Sequence, residues 1–163
     1  MRIMQRHQKS LDFLLHHVVT LNACSFLSCP PDDSQNRLVH IAPANYHILI
    51  EPGYASLTTE EAVRFSRPSI DVMFSSAADT YRSETIGVVL TGANEDGASG
   101  LAHIVKRGGR ALIQDPKTAE IPIMPDAAMR AVPTAEVIPL SGLAPRLIEL
   151  SREGVKAKRS AAV

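Results

Sequence analysis

Ile86-Gly87-Val88-Val89-Leu90-Thr91-Gly92-Ala93-Asn94-Glu95-Asp96-Gly97-Ala98-Ser99-Gly100 is the stretch on which the fold turns. Its first five residues are apolar and β-branched, the pattern of a strand buried on both faces. Gly92 breaks the run. A polar turn leads to Asp96, and Gly97 and Gly100 open a helical segment. A carboxylate therefore stands in the loop leaving the carboxyl end of a strand, where open α/β sheets bind ligands and do chemistry. It either caps the helix beginning near Gly97 or belongs to a site.

Elements of both periods surround this stretch. Downstream, residues 100–107 read as a helix stopped by Gly108-Gly109, and residues 110–114 as a strand ending at Asp115-Pro116. Residues 126–131 read as a helix, 136–139 as a short strand, and Ser141 starts a closing helix through Leu150. Strand–helix alternation predicts a parallel sheet with right-handed crossovers. Upstream, Ser69 caps a helix over 69–81 with Ile70, Met73, Phe74 and Ala77 on its apolar face. Residues 64–68 read as an extended linker, since Pro68 disfavours helix before it. Residues 38–42 and 46–51 read as strands, and 55–57 pairs back on the latter as a hairpin. Residues 10–20 carry Leu11, Leu14, Leu15 and Val18 at helical spacing. The expected fold is α/β: a three-layer αβα, doubly wound, mostly parallel sheet with one β-hairpin. Residues 1–150 form one domain, and 151–163 a flexible basic tail that frays.

Bulk composition narrows the function classes. The 163 residues carry 17 basic and 17 acidic side chains, with a formal net charge of +0, which argues against a nucleic-acid partner. Aromatics are 4%, too few for a base-stacking platform. No apolar run is long enough for membrane insertion and no signal-peptide core follows Arg2 and Arg6, so the expected location is cytoplasmic. Cys24 and Cys29 are too few for a disulfide framework or a four-ligand zinc site. The histidines do not cluster. His16 and His17 cannot both face one site from a helix. His40 and His47 lie on strands, in packing or loop bonding, and His103 lies at a helix surface. No metal and no organic cofactor is expected. Asp71 pairs with Arg67 or serves its own helix terminus. Asp115-Pro116 forms a turn, and Met124-Pro125 fixes a helix start or shapes an apolar lip.

Five motifs in order carry a resemblance. They are Ile41-Ala42-Pro43-Ala44-Asn45-Tyr46-His47, Arg67-Pro68-Ser69-Ile70-Asp71-Val72, and Leu90-Thr91-Gly92 through Asp96-Gly97. Gln114-Asp115-Pro116 with Thr118-Ala119 and Met124-Pro125-Asp126-Ala127-Ala128 follow. From about Val39 to about Leu150 the chain resembles the catalytic domain of the CheB-type chemotaxis methylesterases, without a receiver domain. The resemblance implies a carboxylic-ester hydrolase that removes methyl esters from chemoreceptor glutamates, some members also deamidating glutamines. It implies a Ser–His–Asp mechanism with no cofactor. The implied partners are the cytoplasmic domain of methyl-accepting chemoreceptors, with the matching methyltransferase or signalling proteins. Asp96 falls on the family's aspartate. Ala93 stands where the family has methionine beside the oxyanion hole, and its backbone N–H can donate whatever the side chain.

The amino-terminal part departs from the family. The family's serine lies in a glycine-rich turn after a first strand, and the residues before Val39 are too few for that strand, its turn and the elements that follow. Ser99 follows Asp96 at the same helix start and reads as a helix-surface residue. For the histidine, Gln5 takes the position if residues 10–20 set the register, and His7 takes it if the register slips by two. A Gln cannot act as the base near neutral pH. The competing reading is a catalytically inactive binding or scaffold protein, or a truncated product with an unpaired sheet edge or gap. The chain alone is expected to release no methanol from methylated receptor.

Overall fold

A computed structural model describes the backbone at 18–20, 25–28 and 38–161, and side-chain surroundings at 40–151. Strands β1 (Val18–Thr20), β2 (Ser25–Ser28), β3 (Leu38–Ile41), β4 (His47–Glu51) and β5 (Tyr54–Thr58) precede helix α1 (Ile70–Tyr81). Strand β6 (Ile86–Val89), α2 (Ala98–Lys106), β7 (Arg110–Gln114), α3 (Ile123–Ala131), β8 (Glu136–Ile138) and α4 (Leu140–Ala161) follow. The main sheet has the order β3-β2-β1-β6-β7-β8. Strands β1, β6, β7 and β8 run parallel, and β2 and β3 add antiparallel at one end. This is the expected α/β architecture.

Alternation along β6 and β7 builds two cores. Val89, Ala111 and Ile113 face α1, α2 and α3, where Phe74, Met73, Leu101 and Ile104 are wholly buried. Ile86, Val88 and Leu112 face Leu143 and Leu150 of α4. Side-chain period 2 thus divides one strand between two helical layers. Gly87 brings α2 onto the sheet: a Cβ there would lie 2.6 Å from Leu101 Cδ1 and 2.7 Å from Ile104 Cδ1.

The β4–β5 hairpin forms its own two-stranded sheet and docks on α1. Ser76 Oγ accepts the Ile50 N–H at 3.0 Å, and Thr80 Oγ1 donates to the Ile50 carbonyl at 2.8 Å. The Tyr81 hydroxyl accepts from Gly53 N–H at 2.9 Å and donates to the Glu51 carbonyl at 3.3 Å.

Several expectations need correction. The helix over residues 10–20 fails at its end: Val18–Thr20 is a strand, parallel to β6 and antiparallel to β2. A Val-Val-Thr run favours strand, and the sheet supplies partners that periodicity cannot reveal. Residues 10–17, His16 and His17 among them, lie outside the described residues, as do Cys24 and Cys29. Ser25–Ser28 is a strand that the sequence pattern does not announce. With β1 on one side and β7 on the other, β6 is paired on both sides, so the gap that a truncated product would leave does not fall beside it. Residues 64–68 are not extended. Val63 and Ser66 exchange both backbone hydrogen bonds, at 3.1 and 2.8 Å. Arg64 and Phe65 between them have φ of 49° and 65°. Helix α2 begins two residues early, at Ala98, and α3 three early, at Ile123. The closing helix continues to Ala161, through residues expected to fray. Among the described residues no helix is long and apolar enough to cross a membrane.

Candidate active site

Asp96 is 2% exposed although it sits in a loop. Its carboxylate does not cap α2, the helix that follows it. It crosses to the amino terminus of α1. Oδ1 accepts from Ser69 Oγ at 2.8 Å and from Asp71 N–H at 3.0 Å, and Oδ2 accepts from Ile70 N–H at 2.7 Å. The Ile70 and Asp71 N–H groups lack partners within their own helix, and the carboxylate faces the positive end of the α1 dipole. The Asp96 N–H in turn donates to Asn94 Oδ1 at 3.0 Å, closing the loop on itself. A carboxylate offers about four acceptor positions. Three are filled by described residues, and among these none fills the remaining one on Oδ2.

Ser69 and His47 complete a buried cluster, 0% and 1% exposed. His47 Nδ1 accepts the Ser69 N–H at 3.1 Å. That assigns the ring proton to Nε2, which donates to the Glu61 carbonyl at 3.1 Å. By residue type this is a Ser–His–Asp group, but its wiring is not that of a nucleophile. The histidine reaches the serine's backbone rather than its hydroxyl. The hydroxyl proton goes to Asp96, and the same oxygen accepts from Val72 N–H at 3.5 Å as the cap of α1. The cluster orients Asp96; it does not attack.

The end of β6 is fixed from the other side. Gln114, 2% exposed, accepts the Thr91 N–H at 3.0 Å and donates to the Thr118 carbonyl at 2.9 Å. Thr91 Oγ1 exchanges hydrogen bonds with the Ile121 backbone, at 2.8 and 3.1 Å. Gly92 N–H donates to the Ile121 carbonyl at 3.0 Å and its carbonyl accepts from Met124 N–H at 3.1 Å. A Cβ at Gly92 would lie 2.6 Å from Met124 Cε, so the Met124 side chain lies directly over the turn and would have to shift. With the Gly92 N–H committed, the exposed Ala93 offers the next backbone donor of the turn.

Asp71 lies beside this centre, half-buried, with Oδ1 accepting the Gly100 N–H at 2.7 Å. Burial pushes its carboxyl above the usual range; the Gly100 N–H opposes this, and the Asp96 charge adds to it. It does not pair with Arg67, whose guanidinium instead holds the Thr59 and Glu60 carbonyls at 3.0 and 3.1 Å. Asp71 and Asp96 together lock α1 to the loop and start of α2.

Of the residues expected at the site, Asp96 stands at the carboxyl end of the parallel strands. His7 and Gln5 lie outside the described residues. Ser99 is exposed on α2, as read. His47 is in loop bonding, Asp115 turns the chain by accepting Lys117 N–H at 2.9 Å, and His103 reaches Asp79 at the surface, 2.9 Å away. Among the described residues no three His, Cys, Asp or Glu side chains are grouped to hold a metal. Sequence reasoning missed the roles of Ser69, His47 and Gln114 around Asp96. Ser69 carried a signal as a helix cap; the other two carried only their place beside strand ends.

Comparison with known proteins agrees with this fold. The profile described as CheB methylesterase matches residues 3–147, reaching further upstream than the motifs did. A Leptospira interrogans protein provisionally named a protein-glutamate methylesterase/protein-glutamine glutaminase is 44% identical over 126 residues, 77% of this chain. The Myxococcus xanthus protein-glutamate methylesterase FrzG is 39% identical over 112 residues, 68% of this chain. The chain spans 65% of the Leptospira protein's length and 34% of the Myxococcus protein's. The crystal structure of the Thermotoga maritima CheB methylesterase catalytic domain superposes with a TM-score of 0.66 at 29% identity, covering 68% of this chain and 61% of that one. A parallel sheet with a buried aspartate beyond its β6 strand, together with a profile match over most of its length, places this chain in the CheB methylesterase family.

Proposed function

We propose that this chain acts as a protein-glutamate methylesterase domain on the cytoplasmic part of a chemoreceptor, with Asp96 as the acid of a Ser–His–Asp triad. The single observation that carries the role of Asp96 is the setting of its carboxylate: three donors orient it, and one acceptor position on Oδ2 is left unfilled among the described residues. A histidine N–H placed there would have its tautomer and orientation set, and its positive form stabilised during attack. His7 is the candidate for that histidine. The serine attacks the ester carbonyl, the histidine takes its proton and returns it to the departing methoxide as methanol, and water then releases the glutamate carboxylate. The Ala93 N–H supports the developing oxyanion. The proposed location is cytoplasmic, where the receptor's methylated segment lies, and no cofactor is called for.

The sequence contains no glycine-rich serine turn ahead of residue 7, so the decisive assay supplies one. Methanol release is measured from a methyl-esterified chemoreceptor cytoplasmic fragment, with the isolated chain and with a chimera. The chimera carries a β-strand and a glycine-rich serine turn of the kind the family has, joined ahead of this chain. The expected result is background release by the isolated chain and release by the chimera. A folded chimera that binds the fragment and releases no methanol would overturn the proposal.

A further inference from the structure

Asp71 carries a charge that its place in the fold does not require. Its carboxylate does for α2 what Asp96 does for α1. Helix α2 has Gly97 at its amino terminus and no side-chain cap from that residue. Asp71, in the first turn of α1, reaches across to accept the Gly100 N–H on Oδ1 at 2.7 Å. Asp96, ahead of α2, reaches back to accept the Asp71 N–H at 3.0 Å. The two helices thus exchange carboxylates, and each acid is fixed by the other's element. The approach is close: a Cβ at Gly100 would lie 3.0 Å from Asp71 Cα.

This exchange sets two negative charges near one another. Burial pushes the Asp71 carboxyl up, the Gly100 N–H opposes this, and repulsion from Asp96 outweighs the attraction of Arg64. The Arg64 guanidinium is about half exposed and also faces Glu95 at 3.6 Å, so its charge is shared. His47 reaches this corner only as an acceptor of the Ser69 N–H. An ionised Asp71 therefore works against the fold, whereas an amide oxygen would accept the Gly100 N–H without that cost. What an amide does not supply is the charge. A charged group kept beside a site at a cost to stability points to a part in the chemistry there.

We infer that Asp71 is a positioning residue of the triad, acting through Asp96: it holds the Asp96 loop against α1 and adds a second negative charge that makes the triad histidine a stronger base. This role rests on the proposed methylesterase reading, with His7 as that histidine. Negative charge near an imidazole favours its protonated form. The ring then takes the serine proton more readily, and the imidazolium formed during attack is stabilised. Asp96 supplies the larger share, and Asp71, one residue removed, supplies the increment.

The test is the titration of His7 by nuclear magnetic resonance in the isolated chain. Asp71→Asn and Asp71→Glu stand beside the parent, with a peptide of residues 1–12 as the unfolded reference. The His7 midpoint in the parent is expected above that of the peptide. Asp71→Asn is expected to lower it by about 0.5–1 pH unit, the size for one charge about 10 Å away in a partly buried site, while keeping or raising Tm at neutral pH. Asp71→Glu keeps the charge and is expected to titrate like the parent. A parent midpoint equal to the peptide's would overturn the triad reading of His7 beneath the inference. A raised parent midpoint that Asp71→Asn leaves within about 0.2 pH unit would overturn the role of Asp71 and leave the triad standing. An equal fall in Asp71→Asn and Asp71→Glu would also overturn it, since the shape of the cap and not the charge would then be responsible. So would a lowered Tm in Asp71→Asn, which would make the carboxylate a support of the fold.

Discussion

Replacing Asp96 with alanine removes an acceptor from three donors at once. The Ser69 hydroxyl and the Ile70 N–H are buried, 2.8 and 2.7 Å from the carboxylate. The Asp71 N–H, 3.0 Å away, is part-buried and can turn to water. A buried donor left unpaired costs about 1–3 kcal/mol, so two give about 2–6 kcal/mol. That is a large share of the roughly 5–15 kcal/mol that holds an ordinary domain folded. Ser69→Ala loses one hydroxyl and its cap, about 1 kcal/mol. Asp96→Asn keeps one acceptor oxygen but turns an NH2 toward a donor, and falls between them. The assay is urea unfolding followed by far-UV circular dichroism, compared at constant m. The reasoning is refuted if Asp96→Ala costs less than Ser69→Ala. The result also governs how catalysis is read: any activity of an Asp96 variant must be measured where that variant is folded.

Two further outcomes follow from the same corner of the molecule. Gly100→Ala would put a Cβ 2.6 Å from Phe74 Cβ and 3.0 Å from the Asp71 backbone. It should cost about 1–3 kcal/mol by forcing α2 away from α1, seen as a lowered urea midpoint. For Asp71→Asn the sign runs with pH. Burial raises the folded-state carboxyl above its unfolded value, so the folded state is disfavoured once pH exceeds both and is relieved as pH falls through the raised value. Asn can still accept the Gly100 N–H. The variant should therefore gain stability relative to the parent at neutral pH and lose that gain in acid, read as Tm against pH. A gain that is largest in acid would contradict the sign.

The second half of the fold was legible because its elements are local. Residues 86–89, 98–106 and 110–114 form in the order that apolar runs and glycines announce. The strand β1 was not legible: the three residues Val18–Thr20 pair with β6, more than sixty residues along the chain, as well as with neighbouring β2. The same reason hid the site. Asp96 looked like a cap for the helix that follows it, and local spacing supports that reading. The structure makes it a cap for a helix 25 residues earlier, as the bond to Asp71 records. Nothing in the sequence fixes which helix terminus a loop will meet. The turn at Arg64-Phe65 was misread because neither residue is one that left-handed backbone prefers.

The central claim is that Asp96 is both the anchor of α1 and the acid of the triad. It is tested most directly by kcat for methanol release in the serine-bearing chimera, comparing Asp96→Asn with Ser69→Ala at a temperature where both are folded. If Asp96 is the triad acid, Asp96→Asn should lower kcat about 10³–10⁴-fold, while Ser69→Ala, which loosens the anchor alone, should lower it far less. Equal and small losses in the two variants would contradict the account and leave Asp96 a structural cap only.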